Sequence, residues 1–250
     1  MRRLYLLEYI NELFRKSHKR GLFEMNEIWI TADQHFNHNK ILVYTNRTQF
    51  MNKHELKEYT EIMKEKDKEK IRVLIDRMKI SDTSTKIMNE FMIKQWNDTV
   101  NDGDVVIHLG DFYLGSKPER IKFRERLNGT IILILGSHDG SKWRIAKDGF
   151  IVSDKALIVD DFVFTHKPME VVPDGKWNIH GHIHKKETSG RRINLSVEQT
   201  DYKPMNIKDL EKFKVEEIDI SLCESCNCMT HTINNRCGKC EHIKTVKGVD

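Results

Sequence analysis

The sequence predicts a layered domain of α/β or α+β class. Short apolar runs typical of buried strands occur at residues 28–31, 105–109 and 131–135. Longer segments with helical spacing of apolar residues lie between them, and residues 51–80 are the most extended of these. Strands and helices that mix throughout most of a chain form layers around a common core.

Further elements follow from local patterns. Residues 156–159 and 162–165 are apolar runs on either side of two aspartates, which predicts a β-hairpin. Strands are also expected at residues 177–184 and 193–197. Residues 51–80 predict either a helical hairpin or one long helix with a solvated outer face. Ser81 and its neighbours offer an N-cap for a helix that reaches Trp96.

The chain has 250 residues, enough for one large domain and a small appendage. We expect an N-terminal helical extension at residues 1–25 and a main domain at 26–220. The main domain carries a charged helical insertion at about residues 51–80. A separate small module is expected at residues 221–250. The insertion could cover a pocket, form a homo-oligomer interface, or do neither, and its pattern is compatible with all three.

Composition excludes several classes of protein. Lys and Arg total 42 against 38 Asp and Glu, and a net charge of +4 neither requires nor excludes nucleic acid as a partner. No apolar run approaches the roughly 20 residues that span a bilayer, and the N-terminus does not resemble a secretory signal. Five cysteines, four of them closely spaced, favour metal ligation in a reducing compartment over disulfides. We therefore expect a cytoplasmic protein without a membrane partner.

Metal-capable side chains follow five of the predicted strands. Because strand ends gather at one edge of a layered α/β fold, these side chains are expected to form one site. The motifs are Asp33-Gln-His35, Gly110-Asp111, Gly136-Ser-His-Asp139, His166 and His180-Gly-His182-Ile-His184.

The spacing within these motifs suits metal chelation. In an extended chain residues i and i+2 point to the same side, so Asp33 and His35 are expected to chelate one ion. His182 and His184 can do likewise, or each can serve one of two adjacent ions. Mixed carboxylate and imidazole ligands suit Mn, Fe or Zn better than Mg or Ca. Two such ions about 3.5–4 Å apart would bind a hydroxide and hold a phosphoryl group for in-line attack.

The ordered set of motifs resembles the signature of calcineurin-like metallophosphoesterases. The match spans about residues 26–205. The sequence around the motifs is similar to that of a small bacterial and phage-type subgroup of the family. The resemblance implies a four-layer αββα sandwich of two mixed sheets flanked by helices.

The resemblance also implies roles for individual residues. Asp33, His35 and His184 would hold the first metal. Asp111 would bridge both metals, and His166 and His182 would hold the second. His138 would protonate the leaving oxygen, with Asp139 orienting it. The cofactors expected at this site are two divalent transition-metal ions, Mn, Fe or Zn.

One position departs from the family pattern. Ser137 stands where the family has an asparagine that ligates the second metal and contacts phosphate. A serine hydroxyl is shorter and a poor neutral ligand, so the second metal is expected to bind more weakly or to take a water there. We expect reduced rather than absent activity, because every other ligand is present.

Other polar residues near the motifs have less defined roles. His38 and Arg47 follow the first motif and are candidate phosphate contacts, although a surface role is equally compatible with their positions. His108 and His180 lie within the motif strands and are expected to pack or to support the ligands rather than to bind metal.

The C-terminal cysteines form two CxxC pairs separated by ten residues. The pairs are Cys223 with Cys226 and Cys237 with Cys240. Four thiolates can close a tetrahedral structural zinc site, and the pattern resembles a zinc ribbon. Cys228, His231 and His242 are alternative ligands.

These observations predict a dinuclear metal-dependent phosphoesterase. Metal-bound hydroxide would attack phosphorus, and His138 would act as general acid. Phosphodiesters of nucleotide or nucleic-acid type are the favoured substrates. A phosphomonoesterase acting on nucleotides or phosphoproteins is the enzymatic alternative, and a degenerate enzyme that serves as a binding or adaptor protein is the non-enzymatic one.

Overall fold

The computed structural model describes residues 27–214 and the backbone of residues 220–222, 229–233 and 236–237. The chain divides into two compact units, of which the first ends at Lys208 and the second begins at Asp209. The predicted extension at residues 1–25 lies outside the described residues.

A five-stranded mixed sheet forms the first layer of strands. Its strands are β1 (Ile28–Thr31), β2 (Val105–His108), β3 (Thr130–Ile134), β4 (Ile151–Ser153) and β9 (Met205–Asn206). They are ordered β4-β3-β2-β1-β9, with β1 to β4 parallel and β9 antiparallel to β1. Val106 pairs with Ile131 on one face and Ile107 with Ile132 on the other, and all four are fully buried. Because both faces are covered at β1, β2 and β3, these three strands are continuous apolar runs, which made them predictable.

The second sheet has four strands. They are β5 (Leu157–Val159), β6 (Phe162–Phe164), β7 (Trp177–His180) and β8 (Arg192–Asn194). Strand β5 is antiparallel to β6, while β6, β7 and β8 are parallel. The predicted hairpin is confirmed, and its turn places Asp160 at a positive φ of 47°. The strand predicted within residues 177–184 ends earlier, at His180, because the chain turns away at Gly181.

Six α-helices occur in the described part of the chain. They are α1 (Ile41–Tyr44), α2 (Lys53–Ile62), α3 (Lys68–Arg77), α4 (Asp82–Asn97), α5 (Lys117–Glu125) and α6 (Lys142–Ile145). Short 3₁₀ helices span Thr48–Phe50, Ala146–Asp148, Val197–Gln199 and Ile207–Phe213. Two mixed sheets with these helices confirm the mixed α/β class.

The charged insertion is a pair of helices rather than one long helix. Helix α2 begins with a capping box in which Asn52 and Glu55 satisfy each other's backbone N–H groups. Asp67 caps α3 by accepting from the backbone N–H groups of Glu69 and Lys70, which separates it from α2. Ser81 caps α4 as the sequence predicts, accepting from the backbone of Ser84.

The main hydrophobic cluster packs these helices on one face of the five-stranded sheet. Tyr59 of α2, Ile75 of α3 and Trp96 of α4 join Val106 and Ile131 of the sheet. The opposite face of the sheet is also buried, through Ile30, Ile107 and Ile132. None of the helices in the described residues is long and apolar enough to cross a membrane.

The second unit contains three antiparallel strands. They are β10 (Ile220–Leu222), β11 (Met229–Ile233) and β12 (Arg236–Cys237), paired in that order. The predicted zinc ligands Cys223, Cys226 and Cys240 lie outside the described residues, and Cys237 is described only by its backbone.

Candidate metal centre

The candidate ligands lie in loops that leave the carboxyl ends of β1, β2, β6 and β7. Backbone hydrogen bonds join these loops, from Asp33 N to Gly110 O at 3.0 Å and from Gly181 N to His166 O at 3.0 Å. The expected extended geometry is wrong for the first and last motifs, because Asp33, His35 and His184 all have positive φ angles. Tight left-handed turns, not strand alternation, direct these side chains inward.

The first group of converging ligands consists of Asp33, His35 and His184. Their ligand atoms lie within 4.8 Å of one another. Asp33 Oδ2 accepts hydrogen bonds from His182 N at 2.7 Å and Ser196 Oγ at 2.8 Å. Asp33 Oδ1 is buried with no hydrogen-bond partner among the described residues. One carboxylate oxygen therefore anchors the loops, and the other faces the group.

The second group consists of Asp111, His166 and His182, again with ligand atoms within 4.8 Å. His166 Nδ1 lies 2.9 Å from the carbonyl oxygen of Leu109, so it carries the proton and donates it there. The other nitrogen, Nε2, faces Asp111 Oδ2 at 3.3 Å. The sequence allowed His182 and His184 to bind the same ion or one ion each. In the structure they belong to different groups.

Asp111 connects the two groups. Its Oδ2 lies 3.6 Å from His35 Nε2 of the first group and 3.3 Å from His166 Nε2 of the second. Its Oδ1 accepts a hydrogen bond from the backbone of His138 at 2.8 Å. A carboxylate oxygen between two sets of imidazoles is the arrangement of a ligand shared by two cations.

The residues present fit a pair of divalent cations. Asp33 Oδ1 and His35 Nε2 are buried and have no hydrogen-bond partner among the described residues, an arrangement that costs free energy unless another group binds them. The donors are imidazole nitrogens and carboxylate oxygens, the set that suits Mn, Fe or Zn.

Burial shifts the protonation of two ligands. It raises the pKa of Asp33 to about 6, against the opposing charges of His184 and His166. It lowers the pKa of His35 to about 2, which keeps that imidazole neutral with a free lone pair. For Asp111 burial acts to raise the pKa, but the contact with His166 and the hydrogen bond from His138 N outweigh it and the pKa is lowered.

Two supporting residues were missed by the sequence reasoning. Glu198 is fully buried, and both of its oxygens lie 3.1 Å from His184 Nδ1. The contact fixes the tautomer of His184 and leaves Nε2 for a metal, as carboxylates behind ligating histidines commonly do. Ser196 holds Asp33 in the same way. The available signal was the alternation of the polar residues Asn194, Ser196 and Glu198 with apolar residues, which begins at the last residue of β8.

Arg47 is not a phosphate contact, contrary to one sequence interpretation. Its side chain is fully buried and paired with Glu198, with Nη2 to Oε1 at 2.7 Å. It also donates to the carbonyl oxygens of Asp33 and Gln34 at 2.8 and 2.9 Å. The guanidinium is engaged by these buried partners. Arg47 therefore holds the first motif and does not bind a substrate. His38, the other candidate, lines the cavity described below.

Asp139 also has a different role from the one the resemblance implied. Its oxygens accept from the backbone N–H groups of Gly136, Asp111 and Phe112, each at 2.8 Å. It therefore joins the loops after β2 and β3 and does not orient the His138 ring. The His138 ring packs 5.4 Å from the ring of His35. Ser137 Oγ lies 3.4 Å from His166 Nε2, beside the second group.

His108 contacts residues of the first two motifs and is not itself a ligand. It is fully buried, its Nδ1 accepts from Gly110 N at 3.0 Å, and its Nε2 therefore donates to Gln34 Oε1. His180 is likewise buried, with Nδ1 against Gly181 O. Neither residue belongs to a ligand group.

The buried His108 predicts loss of stability in acid. Burial lowers its pKa from 6.5 to about 3. Between these values the unfolded chain binds the proton and the folded chain does not, so stability falls as the pH decreases, by up to about 1.4 kcal/mol per pH unit. The stabilisation is complete above pH 6.5. Denaturant unfolding across this window is expected to show a shallower dependence in His108→Gln than in the parent. A slope equal to that of the exposed control His54→Gln would contradict the assignment.

Close packing at Gly181 makes the site sensitive to a single methyl group. A Cβ there would lie 2.3 Å from Asp33 Oδ2 and 2.6 Å from Ala32 Cβ. Gly181→Ala is therefore expected to displace Asp33 and weaken Mn²⁺ binding by at least about 10-fold in calorimetric titration. Gly175→Ala is the control, because a Cβ there meets nothing within 4 Å, although its φ of +67° adds backbone strain. Equal affinities in the two variants would show that Asp33 is not a ligand.

A cavity of about 520 Å³ opens beside the two groups. Asp111 supplies the only carboxylate among the described residues that line it. The lining comprises His35, His38, Ile41, Tyr44, Thr45, Asn46, Asp111, His138, His182, Ile183, His184, Lys185 and Lys186. The cavity is therefore suited to an anionic ligand next to the metal groups.

Comparison with known proteins places the chain in a family. It is 32% identical over 212 residues to the uncharacterized protein MJ1445 of Methanocaldococcus jannaschii, covering 76% of this chain and 95% of that protein. The chain belongs to the same family as this archaeal protein. A solved structure, the protein of unknown function AQ665 from Aquifex aeolicus, is similar with a TM-score of 0.49 and 20% identity over 75% of this chain and 99% of that one. No protein-family model matches the chain.

Proposed function

We propose that the chain is a dinuclear metal-dependent phosphoesterase of the calcineurin-like type. The observation that carries the proposal is Asp111 Oδ2, which lies between His35 of one three-residue group and His166 of the other. Two cations held by such groups would polarise a phosphoryl oxygen and activate water when bound.

The residues of this chain have separate tasks in the proposal. One cation would be held by Asp33, His35 and His184. The other would be held by His166 and His182, and Asp111 would serve both. His138 lines the cavity next to His35 and donates the proton to the leaving oxygen. Asp139 keeps the two loops together through their backbone N–H groups.

The favoured substrate is a phosphodiester of nucleotide or nucleic-acid type. The cavity of about 520 Å³ is lined by Tyr44 and Lys186 as well as by members of the two ligand groups. This gives space for more than a phosphate held beside the ligand groups. The lysines and the scarcity of carboxylates in the lining favour an anion.

The arrangement of layers is part of the proposal. A four-layer αββα sandwich accounts for the burial of both faces of the five-stranded sheet, with helices on one face and the four-stranded sheet opposite the other. For the second unit we propose a zinc ribbon with Cys223, Cys226, Cys237 and Cys240 as ligands. The support is the CxxC spacing together with three antiparallel strands around it.

The test is hydrolysis of bis(p-nitrophenyl) phosphate beside p-nitrophenyl phosphate by metal-stripped protein with Mn²⁺ added back. We expect Mn²⁺-dependent release of p-nitrophenolate from the diester. Replacing the general acid in His138→Gln is expected to lower kcat by about 100- to 10,000-fold. His54→Gln changes a histidine of α2 outside the cavity and serves as the matched control.

Each outcome of this assay bears on the proposal. Cleavage of the monoester alone would replace the diesterase assignment by a phosphomonoesterase. No cleavage of either ester by protein that binds two equivalents of Mn²⁺ would overturn the hydrolytic function. Equal activity of His138→Gln and His54→Gln would leave the hydrolase in place but remove His138 from the mechanism.

A further inference from the structure

We propose that the cavity beside the metal groups is a nucleotide site in which the ring of Tyr44 stacks on the base. This inference rests on the proposed function of the same site and names the residue that would contact the base. Tyr44 lines the cavity and is 52% exposed. An aromatic ring left half exposed at the wall of a cavity is a surface on which a flat ligand can stack.

The Tyr44 ring is held in place from two directions. Its hydroxyl donates to Asp76 Oδ1 at 3.1 Å, at the end of α3. Its ring contacts that of His38, with centroids 6.3 Å apart and planes at 71°. His38 in turn lies 5.3 Å from His35, a ligand of the first group. A single imidazole therefore separates the tyrosine from the metal ligands.

The helical insertion fixes the position of Asp76. Lys40, the residue before α1, donates through Nζ to the carbonyl oxygens of Ile75, Asp76 and Met78, with the Asp76 contact at 2.8 Å. These bonds tie the end of α3 to the helix that carries Tyr44. The ring is thus positioned before any ligand binds, which lowers the entropy cost of stacking.

Two lysines of the lining supply positive charge. Lys185 Nζ donates to the carbonyl oxygen of Asn46, two residues after Tyr44, at 2.7 Å. Lys186 also lines the cavity, and its ammonium has no ion-pair partner among the described residues. A cavity lined by an aromatic ring, by lysines and by metal ligands matches base and phosphate on one molecule. A phosphorylated sugar without a base would leave Tyr44 unused.

The experiment compares two ligands that differ only by the base. The probes are the non-hydrolysable phosphonate analogues of adenosine 5′-monophosphate and of ribose 5-phosphate, titrated calorimetrically into Mn²⁺-loaded protein. We expect the adenosine analogue to bind about 5- to 150-fold more tightly, the range for one stacked base. Tyr44→Ala is expected to abolish this difference, whereas Tyr44→Phe retains most of it.

Controls separate stacking from general effects. Ile158→Ala alters a side chain that is 53% exposed and outside the cavity, and it should leave the ratio of affinities unchanged. Lys186→Ala should weaken both ligands together, because both carry the phosphonate. Equal affinity of the parent for the two probes, or an unchanged ratio in Tyr44→Ala, would overturn the inference.

The two proposals fail differently. If the adenosine probe binds through Tyr44 but neither chromogenic ester is cleaved, the nucleotide site stands and the hydrolytic function falls. If the esters are cleaved and the probes bind equally, the phosphoesterase stands and Tyr44 has no part in choosing its substrate.

Discussion

Asp111→Asn is expected to reduce the Mn²⁺ bound by the chain from two equivalents to at most one and to abolish ester hydrolysis. The substitution preserves shape, and the amide oxygen can still accept from His138 N, as the carboxylate does at 2.8 Å. It removes the charge that lies 3.6 Å from His35 Nε2 and 3.3 Å from His166 Nε2. Removing groups behind a ligand costs about 10- to 100-fold in metal affinity, so losing the shared ligand itself should cost more.

The control for this variant is another buried aspartate. Asp148 is 3% exposed and pairs with Arg120, and it belongs to neither ligand group. Asp148→Asn should lose folding stability but still bind two equivalents of Mn²⁺ in calorimetric titration. Two equivalents with undiminished affinity in Asp111→Asn would contradict the shared-ligand assignment and, with it, the dinuclear site.

The fold could be predicted largely because its strands are short apolar runs. The run at residues 105–109 is buried on both faces, so no alternation was needed to recognise it as a strand. The strand predicted at residues 177–184 is too long, because β7 ends at His180. The polar half of that segment, with His182 at φ 71°, belongs to the ligand loop. Such a turn depends on the tight packing of Gly181 against Asp33, which no local pattern reports.

The candidate site could be predicted as a set of ligand residues but not as a geometry. The family resemblance that the order of the motifs carries implies Asp33, His35 and His184 in one group and His166 and His182 in another, and the structure groups them in this way. The argument from an extended chain was wrong, because the turns at Asp33 and His35 are left-handed. The order of motifs therefore carried more information than their internal spacing.

Supporting residues escaped prediction because their partners are distant in sequence. Arg47 and Glu198 are 151 residues apart, and nothing near either one indicates a buried pair. From sequence alone Arg47 has the position of a loop cation that could reach phosphate. The Arg47 side chain is directed inward by the carbonyl oxygens of Asp33 and Gln34, to which it donates. The positions of these oxygens depend on the left-handed turns of the first motif.

Arg47→Met is expected to lower the free energy of unfolding by about 3–5 kcal/mol. The side chain is fully buried and contacts Glu198 Oε1 at 2.7 Å. Without it, the Glu198 carboxylate is left buried beside His184 alone, and two backbone carbonyls lose their donor. The measurement is denaturant unfolding of the metal-free protein. The control is Arg126→Met, which removes an ion pair to Glu90 with both side chains more than 40% exposed, and should cost at most about 1 kcal/mol.

The double variant Arg47→Met, Glu198→Met separates the two tasks of this pair. Removing both charges leaves no uncompensated ion, so the double variant should be more stable than Arg47→Met alone. Its Mn²⁺ affinity should nevertheless fall by about 10- to 100-fold, because His184 Nδ1 has lost the carboxylate 3.1 Å away that fixes its tautomer. Recovery of both stability and affinity would mean that Glu198 serves only to neutralise Arg47. Recovery of stability alone would identify Glu198 as the residue that holds His184 ready for the metal, which makes the buried pair part of the metal centre and not only of the fold.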